Sequence, residues 1–109
     1  MKFATLINRE LKLVLCVEME TYNDPTFGNE HTRERKYLYP IKYVVEHVGH
    51  IFNSESVPIM FPTVKAASLF LNQVSEYAES FQDVENYRYI KADTLEVILL
   101  DDLEGVLDE

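Results

Sequence analysis

The sequence predicts an α+β fold: a small single domain in which an antiparallel sheet of about four to six strands packs against one main helix over residues 63–81. Three observations carry that prediction. Apolar and polar residues alternate through residues 11–22, apolar residues recur at helical spacing after Pro62, and short β-branched or aromatic runs stand on either side of that helix. A chain of 109 residues is one domain by length, so residues 1–109 share one core.

The elements follow in order. Residues 2–7 and 11–22 flank Asn8-Arg9-Glu10, the length of a hairpin connection. In the second run Leu11, Leu13, Leu15, Val17 and Met19 share one parity while Lys12, Glu18 and Glu20 share the other, the pattern of a half-buried strand. Residues 23–35 carry the turn signals Asp24-Pro25 and Gly28-Asn29 with almost no apolar content, and are assigned as a long loop. Residues 36–53 fit two periods. Tyr37, Tyr39, Ile41, Tyr43 and Val45 alternate as in a strand; Ile41, Val44, Val45, Val48, Ile51 and Phe52 also form a helical stripe with Pro40 at a tolerated first-turn position. The aromatic and β-branched content favours strand.

Val57-Pro58-Ile59-Met60-Phe61 is a short extended run suited to a sheet edge, since Pro58 has no N–H to donate. Thr63 then caps the helix, whose buried stripe is Ala66, Ala67, Phe70, Leu71, Val74, Tyr77 and Phe81. Its solvent stripe is Lys65, Ser68, Asn72, Glu76, Glu79 and Asp83, with a base at the start and acids at the end, against the helix dipole. Tyr87, Tyr89 and Ile90 suggest a strand, and Leu95–Leu100 a second one. Asp93 and Glu96 also have capping-box spacing, so a terminal helix over 94–107 competes with that strand.

Motifs that carry chemistry are sparse. The three glycines stand alone, which excludes a glycine-rich phosphate loop. Cys16 lies in the apolar run Leu13–Val17 without a neighbouring base, so it is expected to be a small buried hydrophobe; a lone cysteine fits a reducing compartment. Glu46, His47 and His50 have ligand-like spacing only on a helix, because positions 47 and 50 point to opposite sides of a strand. No catalytic residue, metal site or cofactor is therefore expected, and the chain is not expected to be an enzyme. The N-terminus lacks the pattern of a secretory signal and no apolar run approaches the length of a membrane span, so a cytoplasmic protein without membrane contact is expected.

Charge gives the functional lead. Residues 1–75 carry eight acids and eight bases, while residues 76–109 carry eleven acids against Arg88 and Lys91, so the whole net charge of −9 lies in the last third. A field of one sign repels polyanions and attracts basic surfaces. The expected partner-binding residues are Glu76, Glu79, Asp83, Asp101, Asp102 and Glu104. They imply a small acidic protein-binding module, an inhibitor or modulator that occupies a basic, nucleic-acid-binding surface of a partner protein. Phage-type anti-defence proteins that mimic DNA work by that principle, a likeness of class alone. One basic patch interleaves Arg33, Arg35, Lys36 and Lys42 with Tyr37, Tyr39 and Tyr43. Such a patch can grip nucleic acid, but a chain at −9 repels it, so direct nucleic-acid binding is not expected. A competing reading is a self-associating structural or scaffolding subunit, in which the basic patch of one copy meets the acidic region of another.

Overall fold

The computed structural model describes residues 2–46 and 56–109. Among them seven strands form one mixed sheet: β1 (Ala4–Asn8), β2 (Leu13–Asn23), β3 (Glu30–Pro40), β4 (Ser56–Pro58), β5 (Ser80–Asp83), β6 (Arg88–Lys91) and β7 (Glu96–Leu99). The order is β6-β5-β3-β2-β1-β7, and β4 pairs with β2 beyond the end of β1. Three α-helices lie among the described residues: α1 (Ile41–Glu46), α2 (Val64–Glu76) and α3 (Leu103–Leu107). The α+β class is as the sequence predicts. The sheet is larger than predicted and not purely antiparallel, because β3 and β5 run parallel through Tyr37↔Gln82 and Leu38↔Asp83.

The sheet has to curl. Six strands about 4.8 Å apart would place the edges of a flat sheet about 24 Å apart, yet the edge strands β6 and β7 are joined only by Ala92–Leu95, which include a 3-10 turn. Four residues reach no more than about 18 Å even when extended. Curling leaves two cores. Strand parity sends Leu6, Leu13, Leu15 and Leu38 to the inside, where Val74 of α2, Phe81, Ala92 and Leu95 complete a cluster. Ile7, Val14 and Cys16 point the other way and are covered by Ile41 and Val44 of α1 and Leu103 and Val106 of α3.

The predicted main helix is present but shorter than 63–81. Thr63 caps it, accepting from the Ala66 N–H at 3.0 Å. It stops at Glu76, where Ala78 takes the left-handed conformation at φ 54°. The Ala78 N–H then donates to the Ser75 carbonyl and the Glu79 N–H to the Val74 carbonyl, the paired bonds of a Schellman ending. Phe81 keeps its buried position as a strand residue.

Two further assignments change. Residues 30–35 are strand rather than loop: β2 and β3 form a continuous ladder from Leu13↔Pro40 to Asn23↔Glu30. From Met19 to Arg35 nearly every residue is exposed, so the far half of this hairpin is a two-stranded arm projecting from the body. Its tip is closed by the Asp24 N–H donating to the Asn29 carbonyl and by Gly28 at φ +67°. Residues 41–46 are helix rather than strand, with Ile41 and Val44 buried. Two turns of apolar spacing after Pro40 outweigh the alternation that suggested a strand. The rest of the 36–53 assignment, with His47 and His50, lies partly outside the described residues.

The C-terminal region combines the two competing readings, a strand over Glu96–Leu99 followed by a 3-10 turn, Leu100–Asp102, and α3. No described helix is long and apolar enough to cross a membrane.

Candidate interaction surfaces

The six acids singled out by the sequence do not form one surface. Asp83 has no exposed area. Its carboxylate accepts from the backbone N–H groups of Glu85 at 3.0 Å and Asn86 at 3.4 Å, from Asn86 Nδ2 at 3.2 Å and from Arg88 Nε at 3.1 Å. Burial pushes its pKa up, but these donors outweigh burial and hold it below the ordinary carboxylate value. Asp83 therefore organises the β5–β6 turn and is not a surface on which a partner could rest.

The remaining five divide between the two sides of the sheet. Glu76 and Glu79 are exposed at the end of α2, on the side of the inner core. Asp101, Asp102 and Glu104 are exposed on the cap formed by the last 3-10 turn and α3, over the outer core. Leu103 and Val106 anchor that cap, being 5% and 2% exposed. The nearby bases are already engaged. Arg9 pairs with Glu96 at 2.7 Å and with Glu109, and its pKa is held above the usual value chiefly by the Glu96 hydrogen bond. Lys12 donates to the Val106 and Glu109 carbonyls. Among the described residues Asp101, Asp102, Glu104 and Asp108 form no ion pair.

The basic patch is partly assembled. Arg33, Arg35, Tyr37 and Tyr39 share one parity of β3 and therefore one face, together with Glu18, Glu20 and Tyr22 across the ladder. Lys36 is on the opposite face, over the Phe70 ring at 5.9 Å, and Lys42 pairs with Glu46 at 3.9 Å on α1. One carboxylate serves both arginines: Glu20 accepts from Arg33 Nε at 2.9 Å and lies 3.4 Å from Arg35 Nε. Arg33 also stacks over Tyr22 at 5.0 Å, and Tyr22 stacks on His31. Arg35 donates to the Tyr37 hydroxyl at 3.3 Å, the main reason its pKa lies above the usual value. Tyr39 donates to Glu18 nearer the body.

Tyr89 joins this strip although it is remote in sequence. It pairs with Gln82 on β5, which pairs with Tyr37 on β3, so the three share a face. Where β3 diverges from β5 a groove of about 320 Å³ opens between Arg35, Tyr37 and Tyr89. The sequence signal for Tyr22 was its parity with Glu18 and Glu20; for Tyr89 there was none, because β3–β5 pairing is not encoded in local pattern.

The other predicted chemistry is placed as follows. Cys16 is buried, and desolvation, with the charge of Glu18 adding to it, pushes its thiol up to about 12. Among the described residues no group of His, Cys, Asp and Glu is arranged to hold a metal ion. His47 and His50 lie outside the described residues. No family model, curated protein or solved structure matches this chain.

Proposed function

We propose that this chain is a small acidic protein-binding module that acts by occupying a basic, nucleic-acid-binding surface of a partner protein, as an inhibitor or modulator rather than an enzyme. The observation that carries the reading is the C-terminal cap, where Asp101, Asp102, Glu104 and Asp108 stand on the buried anchors Leu103 and Val106 and form no ion pair among the described residues, Arg9 and Lys12 being held by Glu96, Glu109 and the Val106 carbonyl. Carboxylates on an anchored element lose little conformational freedom when a partner binds.

Charge spacing narrows the kind of mimicry. Residues 100–108, at about 1.5–2.0 Å rise each, extend over about 14–18 Å. Duplex DNA would display about eight to ten charges over that length, and one strand about four or five. The cap's four acids match one strand. Glu76 and Glu79, on the other side of the sheet, do not add to this row.

The test is affinity capture from a lysate of the native host, eluted along a salt gradient, beside two variants, D101N/D102N/E104Q and E76Q/E79Q. The reading expects a nucleic-acid-handling protein that elutes at moderate salt, is retained by E76Q/E79Q and is lost with the cap variant. Equal recovery with the cap variant overturns it.

A further inference from the structure

A hollow wider than the groove beside Tyr89 lies between α1 and the turn that joins β5 to β6. Its volume is about 530 Å³, within the roughly 300–1,000 Å³ of small-molecule sites. Tyr39 lines it from the end of β3, Lys42, Tyr43 and Glu46 from α1, and Val84 and Glu85 from the turn. Both walls are fixed by the fold. The Ile41 N–H donates to the Lys12 carbonyl, Ile41 and Val44 seat α1 on the outer core, and the Tyr39 hydroxyl donates to Glu18. Opposite, the Val84 N–H donates to the Leu38 carbonyl at 3.1 Å, and the Asp83 carboxylate holds the Glu85 N–H at 3.0 Å. A guest entering between such walls orders little of the protein.

The lining decides the chemistry of that guest. Tyr39 and Tyr43 stack with ring centroids 6.1 Å apart, and the faces of such rings attract cations. Lys42 is drawn to Glu46 at 3.9 Å, so those two charges offset each other. Glu85 is exposed and forms no ion pair among the described residues. The hollow therefore carries one uncompensated negative charge, on a chain of −9. Anions are repelled at both scales. We propose that the hollow binds an alkylated ammonium group, whose apolar shell fits the tyrosine rings while its charge is met by Glu85. A free quaternary amine and a trimethylated lysine side chain present this same chemistry. The proposal is independent of the acidic cap, which is built from other residues.

The test is titration of the whole chain with three probes: choline, its uncharged carbon isostere dimethylbutanol, and a short peptide carrying one trimethyllysine. The readout is the NMR signals of the Tyr39 and Tyr43 rings. Choline is expected to shift both saturably and to bind about fivefold more tightly than dimethylbutanol. Y43L should weaken choline by a similar factor, whereas Y43F, which keeps the ring, should not. E85Q should weaken it about threefold. K42Q frees Glu46 and should tighten it. Tyr43, Lys42 and Glu85 are all exposed, so these substitutions leave the core intact.

The peptide separates the two sources. Binding no tighter than that of choline supports a free amine as the guest, and tighter binding supports a methylated side chain of another protein. No saturable shift with either cation overturns the proposal. So does dimethylbutanol bound as tightly as choline, or cation binding left unchanged by both Y43L and E85Q. None of these outcomes bears on capture by the cap, because D101N/D102N/E104Q alters no residue that lines the hollow.

Discussion

Asp83 and Arg88 close the β5–β6 turn from the inside, with the Arg88 Nε donating at 3.1 Å to a carboxylate that has no exposed surface. The same carboxylate holds the backbone of Glu85 and Asn86, which fixes the four residues between the strands. Tyr87 can then occupy the left-handed region at φ 55° while its N–H donates to the Asp83 carbonyl. A bulky residue in that conformation is unfavourable by itself, so the turn depends on Asp83.

Replacing Asp83 with Ala removes an acceptor of charge-assisted bonds and leaves the part-buried donors of Glu85, Asn86 and Arg88 unmatched. The expected loss is about 2 kcal/mol, measured by denaturant unfolding at neutral pH. The pH dependence follows from the lowered pKa. A carboxyl whose folded pKa lies below its unfolded value near 3.9 stabilises fully above that value and loses its contribution as pH falls through the folded one. Melting temperature should therefore fall more steeply below about pH 4 in the wild type than in D83N.

Cys16 should be inert in the native state. With its thiol pushed up to about 12 and its side chain enclosed, it has almost no thiolate at pH 8. Iodoacetamide is expected to label it only after denaturation. Fast labelling of the folded protein would contradict its placement between β2 and the two outer helices.

Thr5 presents a different buried group. It has no exposed area and its hydroxyl has no hydrogen-bond partner among the described residues. Thr5→Val keeps the β-branched shape and removes an unmatched polar atom, so thermal unfolding should show a gain of about 1 kcal/mol.

Ala78 occupies the left-handed position of a Schellman ending, where glycine carries no steric penalty. Ala78→Gly should stabilise the protein by about 1 kcal/mol, whereas the same exchange at Ala67, buried inside α2, should destabilise it. Comparing the two melting temperatures separates the ending from the helix interior.

How much of this could be seen in the sequence depended on whether a segment has one wet and one dry face. β2 was legible because Leu11 to Met19 keep one parity against Lys12, Glu18 and Glu20, although Val14 and Cys16 between them are buried on the other face, and α2 because Thr63 and the apolar stripe agree. The helix end was overrun because Phe81 falls in phase with Val74 by coincidence; it is buried against the same core from a strand. Glu30–Arg35 looked like a loop because a strand wet on both faces has no alternation to show. Ile41–Glu46 fitted both periods. The acids were legible as a count but not as a surface: adjacency in sequence does not say which side of a sheet a residue reaches, nor that Asp83 is enclosed.

The closure of the curled sheet also sets an order of events. β1 has β2 on one side and β7 on the other, with Ala4 opposite Leu99. The β2–β3 and β5–β6 hairpins can zip locally as they leave the ribosome, but the last seam joins the earliest strand to the latest. Pairings between distant segments are slow to form, so β1 keeps an unpaired edge and the inner leucine layer stays half covered until β7 has been made. Chaperone demand, rather than final stability, is where substitutions in Glu96–Leu99 should register first.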